Sequence, residues 1–235
     1  MDTQTRHALK KDSFVEAAAS SVSWLSGHST GVLRWVISGV VVILLAVAGI
    51  ISWNMRTAAA DNALGAALDV YDAPLAVPGA PPEAGTYTAA SDRAKEANRE
   101  FVAIAAEYGW LSAGSKAHYF AGVTYEELGQ TGSAESELKK AEDAVDRNVS
   151  NLAKLALAGL YHQTARDSQA IEIYNALAAK PSDTVSTAVA QLDLADLYAA
   201  SGKQDQARAI WAKVKDADKD GAAGSIAAQK LEPKQ

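Results

Sequence analysis

Four histidines, His7, His28, His118 and His162, are the first residues to ask for chemistry, because imidazole serves both as metal ligand and as general base near neutral pH. A helical metal or catalytic site sets a His three or four residues from a second His, Asp or Glu. None of the four stands in such an arrangement. The chain has no cysteine, which excludes disulfides, thiolate metal sites and Cys nucleophiles. Gly129-Gln130-Thr131-Gly132 lacks the lysine of a phosphate loop and reads as a turn. Asn148-Val149-Ser150 fits the glycosylation triplet, a pattern frequent by chance. Glu126-Glu127 and the pair Glu135 and Glu137 read as solvated helix charges. No nucleophile–base pair can be assembled. The expectation is a protein that is not an enzyme, with no catalytic residue, cofactor or metal.

The balance of charge narrows the partners. The segment after residue 55 carries 18 Lys and Arg against 25 Asp and Glu, a net of −7. An acidic domain without a basic cluster is a poor nucleic-acid binder, so no nucleic acid is expected. Alanine dominates, with Leu, Glu, Gln and Lys filling most of the rest, a helix-forming palette.

The elements that would position any working surface begin with Trp35–Trp53, which runs 19 residues without a charge. As a helix it covers about 28 Å, close to the ~30 Å of a bilayer's hydrocarbon core. Eleven of its residues are Ile, Leu or Val. Trp35 and Trp53 suit the two interfaces, with Arg34 and Arg56 just outside them. Arg6, Lys10, Lys11 and Arg34 precede the span, and only Arg56 is basic in the twenty residues after it. That bias puts the N-terminus in the cytoplasm and the large C-terminal part on the other side. The competing reading is a cleaved signal peptide, because Ala58-Ala59-Ala60 offers small residues for cleavage. Against it, the apolar core exceeds the usual ~7–15 residues and the segment before it is long for an n-region.

Upstream, Ser13 and Glu16 form a capping-box spacing, and Phe14, Ala18, Val22 and Leu25 recur at helical intervals until Gly27. A short interfacial amphipathic helix and an unstructured tail are both consistent with this pattern. Downstream, residues 57–73 read as a helix continuing out of the membrane. Four of the six prolines then fall in residues 74–82, so 73–90 is an extended linker, rich in Pro, Ala and Gly. The expected division is a tail over 1–34, a transmembrane helix over 35–55, a juxtamembrane helix over 56–72, that linker, helical repeats over 91–231 and a tail over 232–235.

From Ser91 a longer period sits on the helical one. Tyr125, Tyr161 and Tyr198 are 36 and 37 residues apart. Three residues before them lie Gly122, Ala158 and Ala195; four after lie Gly129, Ala165 and Gly202; nine after lie Ala134, Ala170 and Ala207. Thirteen after come Leu138, Tyr174 and Trp211. Small residues let two antiparallel helices touch, and the large ones fill the gap to the next pair. Gly129, Gly132 and Gly202 would release the chain at the turns, and Ser133 and Asp167 would cap the second helices. An earlier pair is drawn from Leu64, Gly65 and Leu68 with Ala97, Phe101 and Ile104, and Gly221–Leu231 reads as a terminal capping helix. The fold class is all-α: one N-terminal transmembrane helix, then an α-solenoid of three to four helix pairs.

This small–large pattern resembles the tetratricopeptide repeat. The resemblance implies a groove lined by the first helix of each pair, here Lys116, Tyr119, Glu126 and Glu127, then His162 and Gln163, then Leu192 and Asp196. Tetratricopeptide domains that grip chaperone C-termini carry Lys and Asn where this chain has Tyr119 and Val123, so that activity is not expected. A cytoplasmic tail, one anchor and an extracytoplasmic repeat domain together resemble the bacterial inner-membrane family of ancillary SecYEG translocon subunits. That resemblance implies a non-catalytic partner of translocon subunits, periplasmic chaperones or exported chains, seated in membrane lipid. The alternative is a permanent scaffold subunit of a large membrane complex or a homo-oligomer, for which Ala48 and Ser52 offer one small-xxx-small spacing.

Overall fold

A computed structural model describes residues 30–77 and 84–232. The amphipathic segment expected near residues 13–27, the centre of the Pro-rich stretch and the last three residues lie outside the described residues. Among those described, nine helices and no multi-residue strand are present. They are α1 (Thr30–Tyr71), α2 (Ala90–Tyr108), α3 (Ser112–Glu127), α4 (Thr131–Glu142), α5 (Arg147–Gln163), α6 (Asp167–Ala179), α7 (Thr187–Ala200), α8 (Gln204–Ala217) and α9 (Ala222–Leu231). The chain divides into two compact units, Met1–Arg56 and Thr57–Gln235.

In the first unit α1 is apolar and unpacked. Its stretch from Arg34 onward is long and apolar enough to cross a membrane, and none of its most apolar window is buried. Leu45 remains 68% exposed and Trp35 82%. The core helix of a soluble protein buries most of such a window, and here no described residue covers it.

In the second unit each helix packs on the next in sequence, and α3 also meets α5 while α7 meets α9. The end of α1 and α2 form a first pair: Ala60, Leu64 and Ala67 share a core with Ala97, Phe101 and Ile104. Gly65 is not the close contact there, since nothing lies within 4 Å of where its Cβ would stand. The described ends of the linker between these helices meet, with Tyr87 N donating to Pro74 O at 3.1 Å and Ala76 N to Tyr87 O at 2.8 Å. Three further pairs follow, α3–α4, α5–α6 and α7–α8, and α9 covers the last apolar face.

Small residues set the helix approach as their spacing predicts. Ala134, Ala158, Ala170, Ala195 and Ala207 are fully buried, and Tyr161 and Trp211 are nearly so. A Cβ on Gly122 would stand 2.5 Å from Leu138 Cγ, so α3 and α4 touch there only because the side chain is missing.

The turn inside each pair is the same motif three times. Gln130 N, Arg166 N and Lys203 N donate to the carbonyls of Tyr125, Tyr161 and Tyr198 at 2.8, 2.7 and 2.8 Å. The residue before each donor is left-handed: Gly129 at φ 70°, Ala165 at φ 59° and Gly202 at φ 76°. These are Schellman caps, and the tyrosine that anchors the sequence alignment supplies the accepting carbonyl. Two expectations fail here. Gly132 lies inside the first turn of α4, and Ser133 and Asp167 are helical residues rather than caps. The caps with side-chain hydrogen bonds are Asp146, which accepts from Asn148 N, and Ser186, which accepts from Val189 N. They sit at first helices, where the chain enters from a longer connector.

Candidate functional site

A second contact also repeats, at the start of each first helix eleven residues before the tyrosine. A Cβ on Gly114 would stand 2.0 Å from Tyr108 O. Ser150 Oγ donates to Glu142 O at 2.7 Å, and Thr187 Oγ1 to Ala178 O at 3.0 Å. A short residue therefore meets the terminal carbonyls of the preceding helix, and the hydroxyls satisfy orphan acceptors. This fixes how one pair lies on the next, and hence how the first helices line up.

The face those first helices share carries the candidate site. Tyr71 Oη donates to Glu127 Oε1 at 2.8 Å, joining the first pair to α3. Burial and that carboxylate push the Tyr71 hydroxyl up to about 12. Gln163 Nε2 donates to Glu126 Oε1 at 2.6 Å, joining α5 to α3. Tyr119 is half-buried, edge-on to Phe120, and burial and Glu126 push its hydroxyl up. Asp196 pairs with Lys230 of α9 at 2.8 Å. Asp193, one turn earlier, makes no hydrogen bond or ion pair among the described residues, and burial followed by Asp196 pushes its carboxyl up.

Three of the residues assigned to the groove behave differently. Leu192 is buried in the core of α7, α8 and α9 beside Ala195, Ala207 and Trp211, because the capping helix covers it. His162 is held at the α5–α6 turn, its Nδ1 2.7 Å from Asp167 Oδ1. Lys116 is half-buried on α3, three residues before Tyr119, and joins none of the contacts that link Tyr119, Glu126, Glu127, Gln163 and Asp196 to neighbouring side chains. Asp193 was not singled out, because it is not a groove position of the repeat pattern, whereas Tyr174 lies in the core between pairs as its repeat position predicts.

The two described histidines, His118 and His162, each face a carboxylate. His118 Nδ1 lies 2.6 Å from Glu137 Oε2, with both side chains largely buried. Burial pushes the Glu137 carboxyl up, but hydrogen bonds from Lys140 and His118 outweigh it and hold it below the usual range. Glu135 accepts from Tyr161 Oη at 3.3 Å and pairs with Arg166 at 2.9 Å and Lys139 at 2.7 Å, which hold its carboxyl down at about 2. Glu135 and Glu137 are thus cross-helix ties rather than solvated charges. Asn148 and Ser150 of the glycosylation triplet are likewise in use, Asn148 Oδ1 accepting from Asp183 N at 3.2 Å.

Ser201 Oγ donates to Asp167 Oδ2 at 2.9 Å, so Ser, Asp and His do meet. The order is wrong for nucleophilic catalysis. The carboxylate sits between hydroxyl and imidazole, whereas an activated serine needs the imidazole between the other two. Hydrogen bonds from His162 and Ser201 lower the Asp167 carboxyl, making it a weaker base still. The cluster ties the α5–α6 turn to the α7–α8 turn. Among the described residues no group of three His, Asp or Glu is placed to hold a metal ion.

Arg34 and Arg56 are exposed at the two ends of the apolar stretch, and Trp35 and Trp53 stand exposed inside them. No curated protein matches the chain. A family model described as a tetratricopeptide repeat-like domain matches residues 32–233, taking in α1 as well as the stacked pairs. Domains of this kind are protein–protein interaction modules, typically without catalysis. With the match covering most of its length, the chain belongs to the tetratricopeptide repeat-like domain family.

Proposed function

We propose that this protein is a membrane-anchored interaction module whose repeat domain works outside the cytoplasm, at the inner membrane of a bacterium, assisting secretion or envelope-protein biogenesis at the translocon. The observation that carries the reading is the exposed apolar stretch of α1 running on, without a break, into the first helix of a repeat stack. An unpacked helix of that kind is stable in lipid and costly in water. Cleavage near Ala58–Ala60 fits the structure poorly, because Ala60 is fully buried in the core of the first pair. The Lys/Arg bias around the span favours a cytoplasmic N-terminus. The translocon assignment rests on the resemblance of layout, and its partners would be translocon subunits, periplasmic chaperones or exported chains.

The alternative is a permanent scaffold subunit of a membrane complex or a homo-oligomer. Photo-crosslinking from Tyr119 and Gln163 in intact cells separates the two. Capture of translocon components together with many exported chains supports the first. Capture of one stoichiometric partner, or of a second copy, refutes it in favour of the scaffold. Orientation is tested separately, since the chain has no native cysteine. An impermeant maleimide should label Asp205→Cys in intact spheroplasts and Lys10→Cys only after permeabilisation; the reverse pattern overturns the topology.

A further inference from the structure

The edge of the repeat stack where the first helices start holds a cavity that repeat packing does not need. Tyr71 and Glu127 join the last turns of α1 and α3, Gln163 and Glu126 those of α5 and α3, and Ser201 and Asp167 the residues just past α7 and α5. The last turns thus lie along one edge, and the starts of the same helices along the other. At that second edge a cavity of about 510 Å³ opens between the end of α4, the start of α5 and the end of α6. Ser150 Oγ donates to Glu142 O at 2.7 Å and Asn151 Nδ2 to Lys180 O at 3.2 Å, which holds its three walls together. Arg147 and Lys154 line it from one side of α5, and Lys180 lines it from just past α6. None of these three side chains makes a hydrogen bond or ion pair among the described residues. Glu142 and Glu172 line the same cavity without pairing with them. Three cations against two carboxylates leave one positive charge in excess, whereas the segment after residue 55 carries a net of −7.

Two further features of this edge point to what fills the cavity. Val145, on the connector before α5 and itself a lining residue, is fully exposed, and Trp110, on the connector before α3, is 54% exposed. Apolar and indole side chains beside unpaired cations suit the interfacial layer of a membrane. The chain also enters this unit at Thr57, at the same edge and four residues after Trp53 ends the uncharged stretch. We propose that the cavity seats the phosphate of an anionic phospholipid headgroup, so that the edge carrying Trp110, Val145 and the three cations docks on the bilayer. The inference rests on the membrane-anchored reading and adds a lipid site to the repeat domain. Arg147, Lys154 and Lys180 would donate to the phosphate oxygens. Glu142 and Glu172 oppose the same phosphate, so the docking is reversible and weakens as salt rises.

The test uses the full chain in nanodiscs of phosphatidylcholine, with or without phosphatidylglycerol, in which some headgroups carry a nitroxide quencher. Because the chain has no native cysteine, Val145→Cys takes a single fluorophore at this edge and Asp205→Cys takes one at the opposite edge. The label at Val145→Cys should be quenched, more strongly with phosphatidylglycerol and less as salt rises, while that at Asp205→Cys stays bright. With phosphatidylglycerol present, Lys154→Gln and Lys180→Gln should each lower the docked-to-free ratio by about fivefold. Glu172→Gln should raise it several-fold, an effect that loss of structure would not produce. A chain that fails to enter the nanodiscs refutes the anchored reading itself. A chain that enters them with the Val145→Cys label bright, or with both edges equally quenched, overturns this proposal alone. Quenching that neither lysine variant changes overturns the cavity as the seat. A Glu-rich peptide that binds through Lys154 while the Val145→Cys label stays bright assigns the cavity to a protein partner and overturns the lipid.

Discussion

Ala165 is the one residue of the described chain, glycines aside, with a left-handed backbone, and its two repeat equivalents are Gly129 and Gly202. For an L-residue that conformation costs about 1–2 kcal/mol. Replacing Ala165 with Gly removes the cost but gives the unfolded chain extra freedom worth about 0.4–1 kcal/mol. The exposed methyl contributes little packing, so the net gain is about 0.5–1 kcal/mol. For a domain of this size 1 kcal/mol moves the melting temperature by about 2–4 °C, giving an expected rise of about 2 °C for Ala165→Gly. The mirror experiment strengthens it. At Gly129 and Gly202 nothing lies within 4 Å of a new Cβ, so Gly→Ala at either site changes backbone strain alone. Each should lose about what Ala165→Gly gains. Far-UV circular dichroism during thermal and urea unfolding of the full chain in micelles measures all three. A fall in stability for Ala165→Gly, or no loss for both glycine variants, would refute the claim that these turns are one strained motif repeated.

Three other outcomes follow from the same geometry. Gly114→Ala drives a Cβ into the Tyr108 carbonyl and should cost about 3 kcal/mol, read from the urea midpoint; a silent substitution would mean the pairs slide freely. Glu135→Gln should cost about 0.5–1 kcal/mol at neutral pH, a figure discounted because the Glu135 side chain is 21% exposed. With the folded carboxyl near 2 and the ordinary value 4.5, that stability is present above pH 4.5 and lost as pH falls toward 2, so wild type and variant should converge in acid. Tyr71, raised to about 12 by burial and by Glu127, keeps its proton where the unfolded chain loses it at 10. Stability should therefore decline between pH 10 and 12, and Tyr71→Phe should flatten that decline; a slope unchanged in the variant places it elsewhere.

How far the sequence carries depends on whether a contact is local to the repeat. Gly122, Ala134, Ala158, Ala170, Ala195 and Ala207 were legible because each must be small in every unit, so the period exposes them. The left-handed turn was legible at Gly129 and Gly202 and hidden at Ala165, where alanine satisfies the small-residue pattern while paying in backbone strain. The hydroxyl contacts of Ser150 and Thr187 were missed although they too recur, at a fixed distance before each tyrosine. Gly, Ser and Thr do not look alike in a pattern of small and large residues, yet all three are short enough for a helix end to approach.

The acidic face was legible only in part, and the reason is geometric. Repeat positions name the residues that one helix offers to a groove, and of these Glu126, Glu127, Gln163 and Asp196 reach side chains of other helices. They cannot foresee the lid α9, which buries Leu192 and lends Lys230 to Asp196. How one pair is set on the next is fixed by the approach of Gly114, Ser150 and Thr187 to the carbonyls before them. A variant such as Ser150→Ala, which loses the hydrogen bond to Glu142 O but keeps the small size, should therefore lower stability by about 1 kcal/mol, read from the urea midpoint, and an unchanged midpoint would mean that the hydroxyl does not hold one pair on the next.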